Sequence, residues 1–220
     1  MNKSALKSSI YAIIGISGII WFSLAWYSNL NLSMAKDFFG LLPKVVSIDT
    51  AIILVFYKWG WKIGIFKDWL VPFPNLSGTW VGKIHSDWID PKTGEKVLPI
   101  PVMLTVNQSY SHINFVMHTG EMRSFSISEG FNIDKERQLN QISYIYVSKP
   151  RIALNERSLP HYGSIIFDII ESPEKKLIGQ YWTERKTKGE ILLTFHSKII
   201  LSEIPNTLGK HPVTEPENLR

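Results

Sequence analysis

Residues 178–185 (IGQYWTER) combine aromatic rings, a hydroxyl group and a cation at the alternating spacing of a β-strand. One face of the predicted strand carries Tyr181, Thr183 and Arg185, while the other carries an isoleucine, a glutamine, a tryptophan and a glutamate. Neither face is uniformly apolar, as the face of a plain core strand would be. A ring beside a hydroxyl and a guanidinium suits a stacked nucleobase and its phosphate.

Two further tyrosines, Tyr144 and Tyr146, lie two residues apart and share a strand face with Ile142. They extend the same aromatic chemistry to a second strand. A structural interpretation stays open, in which the tyrosines pack the core and Arg185 is a solvated turn residue beside two lysines. The residues alone leave the choice between a binding face and a core face unresolved.

Motifs for catalysis are missing from this sequence. It contains no P-loop, no G-x-S-x-G turn, no H-E-x-x-H pair and no cysteine. Six histidines are scattered along the chain, and His112 and His118, which could share a face of neighbouring strands, have no acidic partner near them. We therefore predict a protein without catalytic residues, without a metal site and without enzymatic activity.

The charge distribution argues against a groove for duplex nucleic acid. The net charge is +5, but residues 1–74 hold seven lysines against three acidic residues, so the rest of the chain is almost neutral. Binding to duplex nucleic acid needs a basic surface on the folded domain. The excess positive charge lies instead beside the apolar segments near the N-terminus.

Two apolar segments predict a transmembrane hairpin. Residues 10–30 carry no charge over the length of a bilayer, and residues 38–57 form a second, less uniform segment. A secretory signal is the alternative for the first segment, but this run is long for a signal and no small-residue cleavage site follows it. Lysines flank both outer ends of the hairpin, so the positive-inside rule places both termini in the cytoplasm.

The second apolar segment contains two charged residues, Lys44 and Asp49, which are costly inside a bilayer. They lie about 140° apart around a helix and therefore pair poorly with each other. Asp49 would more easily meet a partner on the first helix or on a neighbouring subunit. The alternative is that Lys44 marks the membrane boundary and Asp49 reaches the interface.

Beyond residue 74 the chain predicts an antiparallel β-domain. Residues 74–84 (PNLSGTWVGKI) predict its first strand, with Trp80 between two glycines on one face. Eight strands joined mostly by hairpins favour a closed eight-stranded barrel over a two-sheet sandwich, because closure leaves no exposed edge. The predicted strands are residues 76–88, 98–108, 113–119, 123–133, 139–147, 163–170, 176–185 and 190–200.

These patterns divide the chain into three parts. Residues 1–74 are the predicted transmembrane hairpin and an interfacial linker rich in tryptophan and lysine. Residues 75–200 are the predicted cytosolic β-barrel. Residues 201–220 have no periodicity and several prolines, which predicts a disordered tail.

Two segments carry a resemblance to a known family. Residues 74–82 (PNLSGTWVG) lead into the barrel, and residues 179–190 (GQYWTERKTKGE) follow the pattern G-x-Y-x-T-x-R-x-T-x-G. Behind a two-helix anchor, they resemble the two-transmembrane, β-strand-rich effectors of bacterial cyclic-oligonucleotide-based antiphage signalling systems (CBASS). In that family the barrel is the receptor for a cyclic dinucleotide that a cognate nucleotidyltransferase makes on phage infection.

The resemblance also implies a mechanism and a site. Ligand binding would promote homo-oligomerisation of the transmembrane segments and disruption of the bacterial inner membrane. Tyr181 would stack a base, Thr183 would bond a base edge or a phosphate, and Arg185 would pair with a phosphate. With the two tyrosines added from periodicity, the predicted ligand-binding residues are Trp80, Tyr144, Tyr146, Tyr181, Thr183 and Arg185.

Two other functions fit the same architecture. A membrane-tethered, lipocalin-like carrier of a lipid or a small apolar molecule would have a mostly apolar lumen. A structural anchor for a partner enzyme would have a filled lumen and no ligand. The polar face of residues 179–185 counts against the carrier.

Overall fold

The computed structural model describes residues 3–30, 34–91, 93–154 and 158–214. The chain divides into two compact units, Met1–Asn75 and Leu76–Arg220. Among the described residues, the first unit contains both long helices, and the second contains all the strands.

The first unit is a pair of apolar helices, α1 (Lys3–Tyr27) and α2 (Ala35–Lys58). Both are long and apolar enough to cross a membrane, judged by length and composition. Most of their large apolar side chains are exposed, and a small buried cluster of Ala25, Leu41 and Val45 joins the two helices. An apolar exterior of this kind fits membrane anchoring, because lipid would cover these side chains at no cost in hydration.

One polar contact joins the two helices near their midpoints. The hydroxyl group of Ser17 on α1 donates a hydrogen bond to Oδ2 of Asp49 on α2, at 2.7 Å. Both residues are half-buried. The partner of Asp49 in this structure therefore lies on the first helix, one of the positions that the sequence left open.

The second unit is a closed barrel in which consecutive strands pair and the last strand pairs with the first. All neighbouring strands are antiparallel. The predicted eight-stranded barrel behind two apolar helices is confirmed, and the two-sheet sandwich is wrong. The strands are β1 (Gly78–Ser86), β2 (Ile100–Gln108), β3 (Ile113–Thr119), β4 (Met122–Asp134), β5 (Leu139–Pro150), β6 (His161–Ile170), β7 (Lys176–Thr183) and β8 (Lys188–Ser197).

The core lies towards one end of the barrel, where β1 begins and β2 ends. Inward side chains on alternate residues meet there and fill the interior, as period-two patterning requires. We call this the filled end and the opposite end, where β1 ends and β2 begins, the open end. The largest fully buried side chains of the filled end are Trp80, Leu104, Phe115, Phe167, Leu177 and Leu193.

The chain stays on the barrel after β8 ends. At the filled end, Thr79 Oγ1 donates to the carbonyl of Ile199 (2.6 Å) and accepts from the amide of Leu201 (3.0 Å). A 3₁₀ turn at Asn206–Leu208 follows, and His211 is buried beside the turn between β3 and β4 at the open end. Residues 201–214 thus differ from the predicted disorder, and residues 215–220 lie outside the described residues.

Candidate ligand-binding site

The open end of the barrel holds a cavity of about 320 Å³. Its apolar lining includes Ile84, Met117, Ile165 and Ile191, which belong to the buried core. This volume is at the lower end of the range for small-molecule sites, roughly 300–1,000 Å³. The polar part of the lining carries hydroxyl, imidazole and guanidinium groups, from Ser86, Ser124, Ser148, Thr183, His161 and Arg185.

Two of the predicted tyrosines come from β5 and line the cavity side by side. The ring of Tyr144 stacks on Phe115, with ring centroids 4.5 Å apart and planes 8° apart. It meets Tyr146 edge to face, with centroids 6.2 Å apart. Both tyrosines are buried, so they serve the core and the cavity at once.

Glycines on neighbouring strands let two of the tyrosine rings lie against the wall. A Cβ atom added at Gly163 would come within 2.4 Å of the Tyr146 ring and hydroxyl. A Cβ atom added at Gly189 would lie 2.9 Å from the ring of Tyr181. The glycines therefore leave space for aromatic surfaces where a side chain would displace them.

One buried polar atom in the cavity has no partner in the described part of the chain. The phenolic oxygen of Tyr144 makes no hydrogen bond there, although this residue is 4% exposed. A buried polar group without a partner costs free energy, so native structures rarely leave one. Because Tyr144 lines the cavity, a bound molecule can supply that partner.

The hydroxyl groups from β7 bond to the wall of the cavity. Tyr181 Oη donates to Ser86 Oγ at 2.8 Å, across the barrel closure from β7 to β1. Thr183 Oγ1 lies 2.7 Å from the hydroxyl of Thr187, which joins the two sides of the turn between β7 and β8. These bonds fix the positions of two predicted site residues.

Arg185 lies in the same turn and reaches the cavity from the rim. Its residue surface is exposed, yet its Nη1 atom donates to Ser158 Oγ at 2.9 Å. Among the described residues that line the cavity, Arg185 carries the permanent positive charge. The structure therefore brings Tyr144, Tyr146, Tyr181, Thr183 and Arg185 together around one cavity.

Burial determines the protonation state of the tyrosines and of a histidine that line the cavity. It raises the pKa of Tyr144, Tyr146 and Tyr181, so the three phenols remain hydrogen-bond donors at neutral pH. Burial also lowers the pKa of His161, and Arg185 adds to this effect, while the hydrogen bond to the carbonyl of Leu159 opposes it. His161 is therefore neutral at neutral pH and adds no charge to that of Arg185.

Trp80 is separated from the other predicted site residues. It belongs to the filled end, where its indole Nε1 donates to the carbonyl of Leu76 at 2.9 Å and its ring packs edge-on against Phe195. It is 1% exposed and does not line the cavity. Alternation along β1 places Trp80 on one strand face with its two neighbouring glycines, but it carries no information about depth in the barrel.

Several polar lining residues were absent from the sequence prediction. Ser148 continues the face of the two β5 tyrosines, and Ser86 continues the inward face of β1, so period two could have found both. Glu121 and His211 lie in a turn and in the tail, where no pattern marks them. No group of three side chains in the described residues is placed to hold a metal ion.

A barrel that is filled at one end and hollow at the other, with aromatic rings and hydroxyls around an arginine, defines a receptor for a small ligand. Its polar groups suit a ligand that is both aromatic and anionic. The class is therefore a receptor barrel that follows two apolar helices in the chain.

Comparison with known proteins narrows this class to one family. Residues 71–194 match the family described as Cap15, cyclic dinucleotide receptor domain, and this match covers more than half of the chain. The chain belongs to this family of receptors. CD-NTase-associated protein 15 of Staphylococcus schleiferi is 21% identical over 192 residues, which are 86% of this chain and 98% of that protein. The predicted resemblance and the predicted ligand class, a cyclic dinucleotide, are confirmed.

Proposed function

We propose that this protein is a CBASS effector whose barrel binds a cyclic dinucleotide in the open-end cavity and whose helices then assemble and disrupt the inner membrane. The observation that carries the proposal is the cavity itself, where three tyrosines, Thr183 and Arg185 meet. The Tyr144 hydroxyl, which is buried without a partner among the described residues, supports a ligand with polar atoms at this depth.

The positions of the side chains support separate roles in binding. Tyr146 and Tyr181 present rings against glycine-lined walls, where a nucleobase can stack on them. Thr183, beside the turn, offers a hydroxyl to a base edge or a phosphate oxygen. Arg185 at the rim pairs with a phosphate, and its bond to Ser158 holds the guanidinium in place.

The direct test is isothermal calorimetry on the full chain in detergent with a panel of purified cyclic dinucleotides. Arg185→Ala should weaken binding of the tightest member by about 1.5–3 kcal/mol, the range for a hydrogen bond to a charged group. Lys186→Ala is the matched control, because it removes an exposed cation from the same turn without touching the cavity lining. Absence of binding by the whole panel would reject the proposal.

The same preparation tests the carrier alternative. A lipocalin-like carrier would copurify with a lipid or an apolar molecule, which mass spectrometry of the purified protein detects. We expect no stoichiometric lipid, because hydroxyl groups and an arginine line the wall of the cavity.

The helices support the second half of the proposal. Their exposed apolar side chains suit a bilayer, and Asp49 lies near the midpoint of α2, where a carboxylate is costly unless it pairs or meets water. Ser17 supplies one hydrogen bond. Assembly of several hairpins would place these carboxylates inside a bundle, which lowers that cost and opens a polar path through the membrane.

Ligand can drive assembly only if it binds the assembled state more tightly than the separate chains. We expect particle mass in detergent and dye leakage from lipid vesicles to increase on addition of the cyclic dinucleotide. Asp49→Asn should reduce leakage without changing ligand affinity, whereas Ser47→Ala, at an exposed position on the same helix, should change neither. Equal particle mass with and without ligand would contradict the assembly step.

The predicted orientation has its own test. If both termini are cytoplasmic, protease added to intact spheroplasts should leave the barrel uncut, and protease added to inverted inner-membrane vesicles should digest it. Digestion in the spheroplasts would show that the barrel lies on the opposite side of the membrane.

A further inference from the structure

The C-terminal tail reaches the cavity from outside the strands. It leaves β8 at the filled end, where Thr79 holds Ile199 and Leu201, and it arrives at the open end with His211. These two points lie on β1 and on the turn between β3 and β4, so the tail runs from one end of the barrel to the other. His211 and Val213 line the cavity together with the strand residues.

A buried polar pair holds this tail at the open end of the barrel. Nδ1 of His211 lies 3.2 Å from Oε1 of Glu121, and both side chains are at least nine-tenths buried. The Thr214 hydroxyl also bonds to Oε1 of Glu121. His211 packs so closely on Gly120 that a Cβ atom added there would lie 2.7 Å from the Cβ atom of His211. The imidazole is therefore held at one place on the cavity wall.

The strand order places this imidazole across the mouth from the turn that carries Arg185. His211 is held at the turn between β3 and β4, and Arg185 lies in the turn between β7 and β8. These turns are four strands apart in a closed ring of eight, which is half of the circumference. Both side chains line the same cavity. The guanidinium of Arg185 reaches from its turn to Ser158 in the connection between β5 and β6.

A cyclic dinucleotide carries two phosphates on opposite sides of its ring, and each can accept hydrogen bonds from an arginine or a histidine. We propose that His211, held by Glu121, is the second phosphate-binding residue of the site and that the C-terminal tail is part of the receptor. Arg185 contacts one phosphate and His211 contacts the other. This assignment rests on the proposed function of the cavity as a cyclic dinucleotide site.

The test measures the affinity of the full chain for the tightest cyclic dinucleotide of the panel. His211→Ala should weaken binding about tenfold or more, as expected when a bond to a charged group is lost. His211→Phe should show the same loss, because the phenyl ring preserves the packing but offers no hydrogen bond. His196→Ala is the control, since His196 is an exposed histidine near the filled end of β8.

A double substitution distinguishes a direct contact of His211 with a second phosphate from an indirect effect of His211 on Arg185. If the two residues bind different phosphates, the losses of Arg185→Ala and His211→Ala should add in the double variant. Gly120→Ala supplies an independent displacement of His211 if the histidine variants fold poorly, which thermal melting without ligand reveals. It should weaken binding in the same direction.

The outcomes separate this proposal from the proposed function. Failure of the wild-type chain to bind any cyclic dinucleotide rejects both. Normal binding by the wild type and a loss with Arg185→Ala, but unchanged affinity in His211→Phe, leaves the cavity as the site and overturns the role of His211. A non-additive double variant also overturns it, because His211 would then act through Arg185.

Discussion

The same eight strands make the filled end and the open end of the barrel. The two ends differ in the side chains that point into the interior. At the filled end, Trp80, Phe115 and Phe167 are buried, with less than 2% of their surfaces exposed. At the open end, tyrosines, serines and threonines surround a cavity of about 320 Å³. The filled end stabilises the barrel, and this stability allows the open end to keep a cavity and an unpartnered buried hydroxyl.

This contrast explains how a small barrel can hold a ligand. An eight-stranded barrel has room either for packed side chains or for one small molecule. Here large apolar residues fill the filled end, while glycines at residues 163 and 189 leave space for tyrosine rings at the open end. Substitutions at the two ends should therefore affect stability and ligand binding separately.

The largest expected effect is a loss of stability at the filled end. Trp80→Ala should lower the free energy of unfolding by about 3–5 kcal/mol, because it leaves a cavity in the core and removes the bond to Leu76. Urea denaturation followed by circular dichroism measures this change. Trp182→Ala, at an outward and half-exposed position on β7, should cost far less. If Trp80→Ala instead impairs ligand binding in a barrel of normal stability, Trp80 belongs to the site after all.

The next prediction concerns a position that should affect both stability and ligand binding. Gly163→Ala should cost about 1–3 kcal/mol of stability, since its new Cβ atom would overlap Tyr146 and approach the carbonyl of Trp182. It should also weaken ligand binding, because Tyr146 must move into the cavity. Gly130→Ala is the control, since nothing lies within 4 Å of a Cβ atom there. Full stability with normal binding would show that the Tyr146 ring is free to shift.

Tyr144→Phe should change the two properties in opposite directions. Removing the unpartnered hydroxyl should leave the free energy of unfolding unchanged or raise it by up to about 1 kcal/mol. The affinity for the cyclic dinucleotide should fall by about 0.5–1.5 kcal/mol if the ligand bonds to that hydroxyl. Unfolding and calorimetry on one preparation give both numbers. Unchanged affinity would restrict Tyr144 to a packing role.

The smallest expected effect is on the pH dependence of stability without ligand. Burial lowers the pKa of His161 and of His118 in the folded barrel, so the unfolded chain binds more protons below about pH 6.5. The melting temperature should therefore fall as the pH decreases from about 7 towards 5. His161→Gln and His118→Gln should each flatten this slope. A slope that neither variant alters would assign the acid sensitivity to other groups.

The sequence by itself determined the architecture. Apolar length defined two helices, and alternation between turns defined eight strands. Alternation put Tyr144 and Tyr146 on one strand face, whereas Tyr181 and Thr183 were selected because residues 179–190 resemble a family pattern. These signals are local, because a period of two or of 3.6 residues along the chain is the same whatever the pairing register between strands.

Only the tertiary structure decided which inward residues share a level of the barrel. The pairing register puts Trp80 beside Phe195 at the filled end, and it puts Tyr181 within hydrogen-bonding distance of Ser86, 95 residues away. It also brings His211 from an aperiodic tail to Glu121, on the opposite side of the mouth from the turn that carries Arg185. The depth of a side chain in the barrel and the closure of the barrel depend on contacts between distant segments. The spacing of residues along one strand carries no information about either.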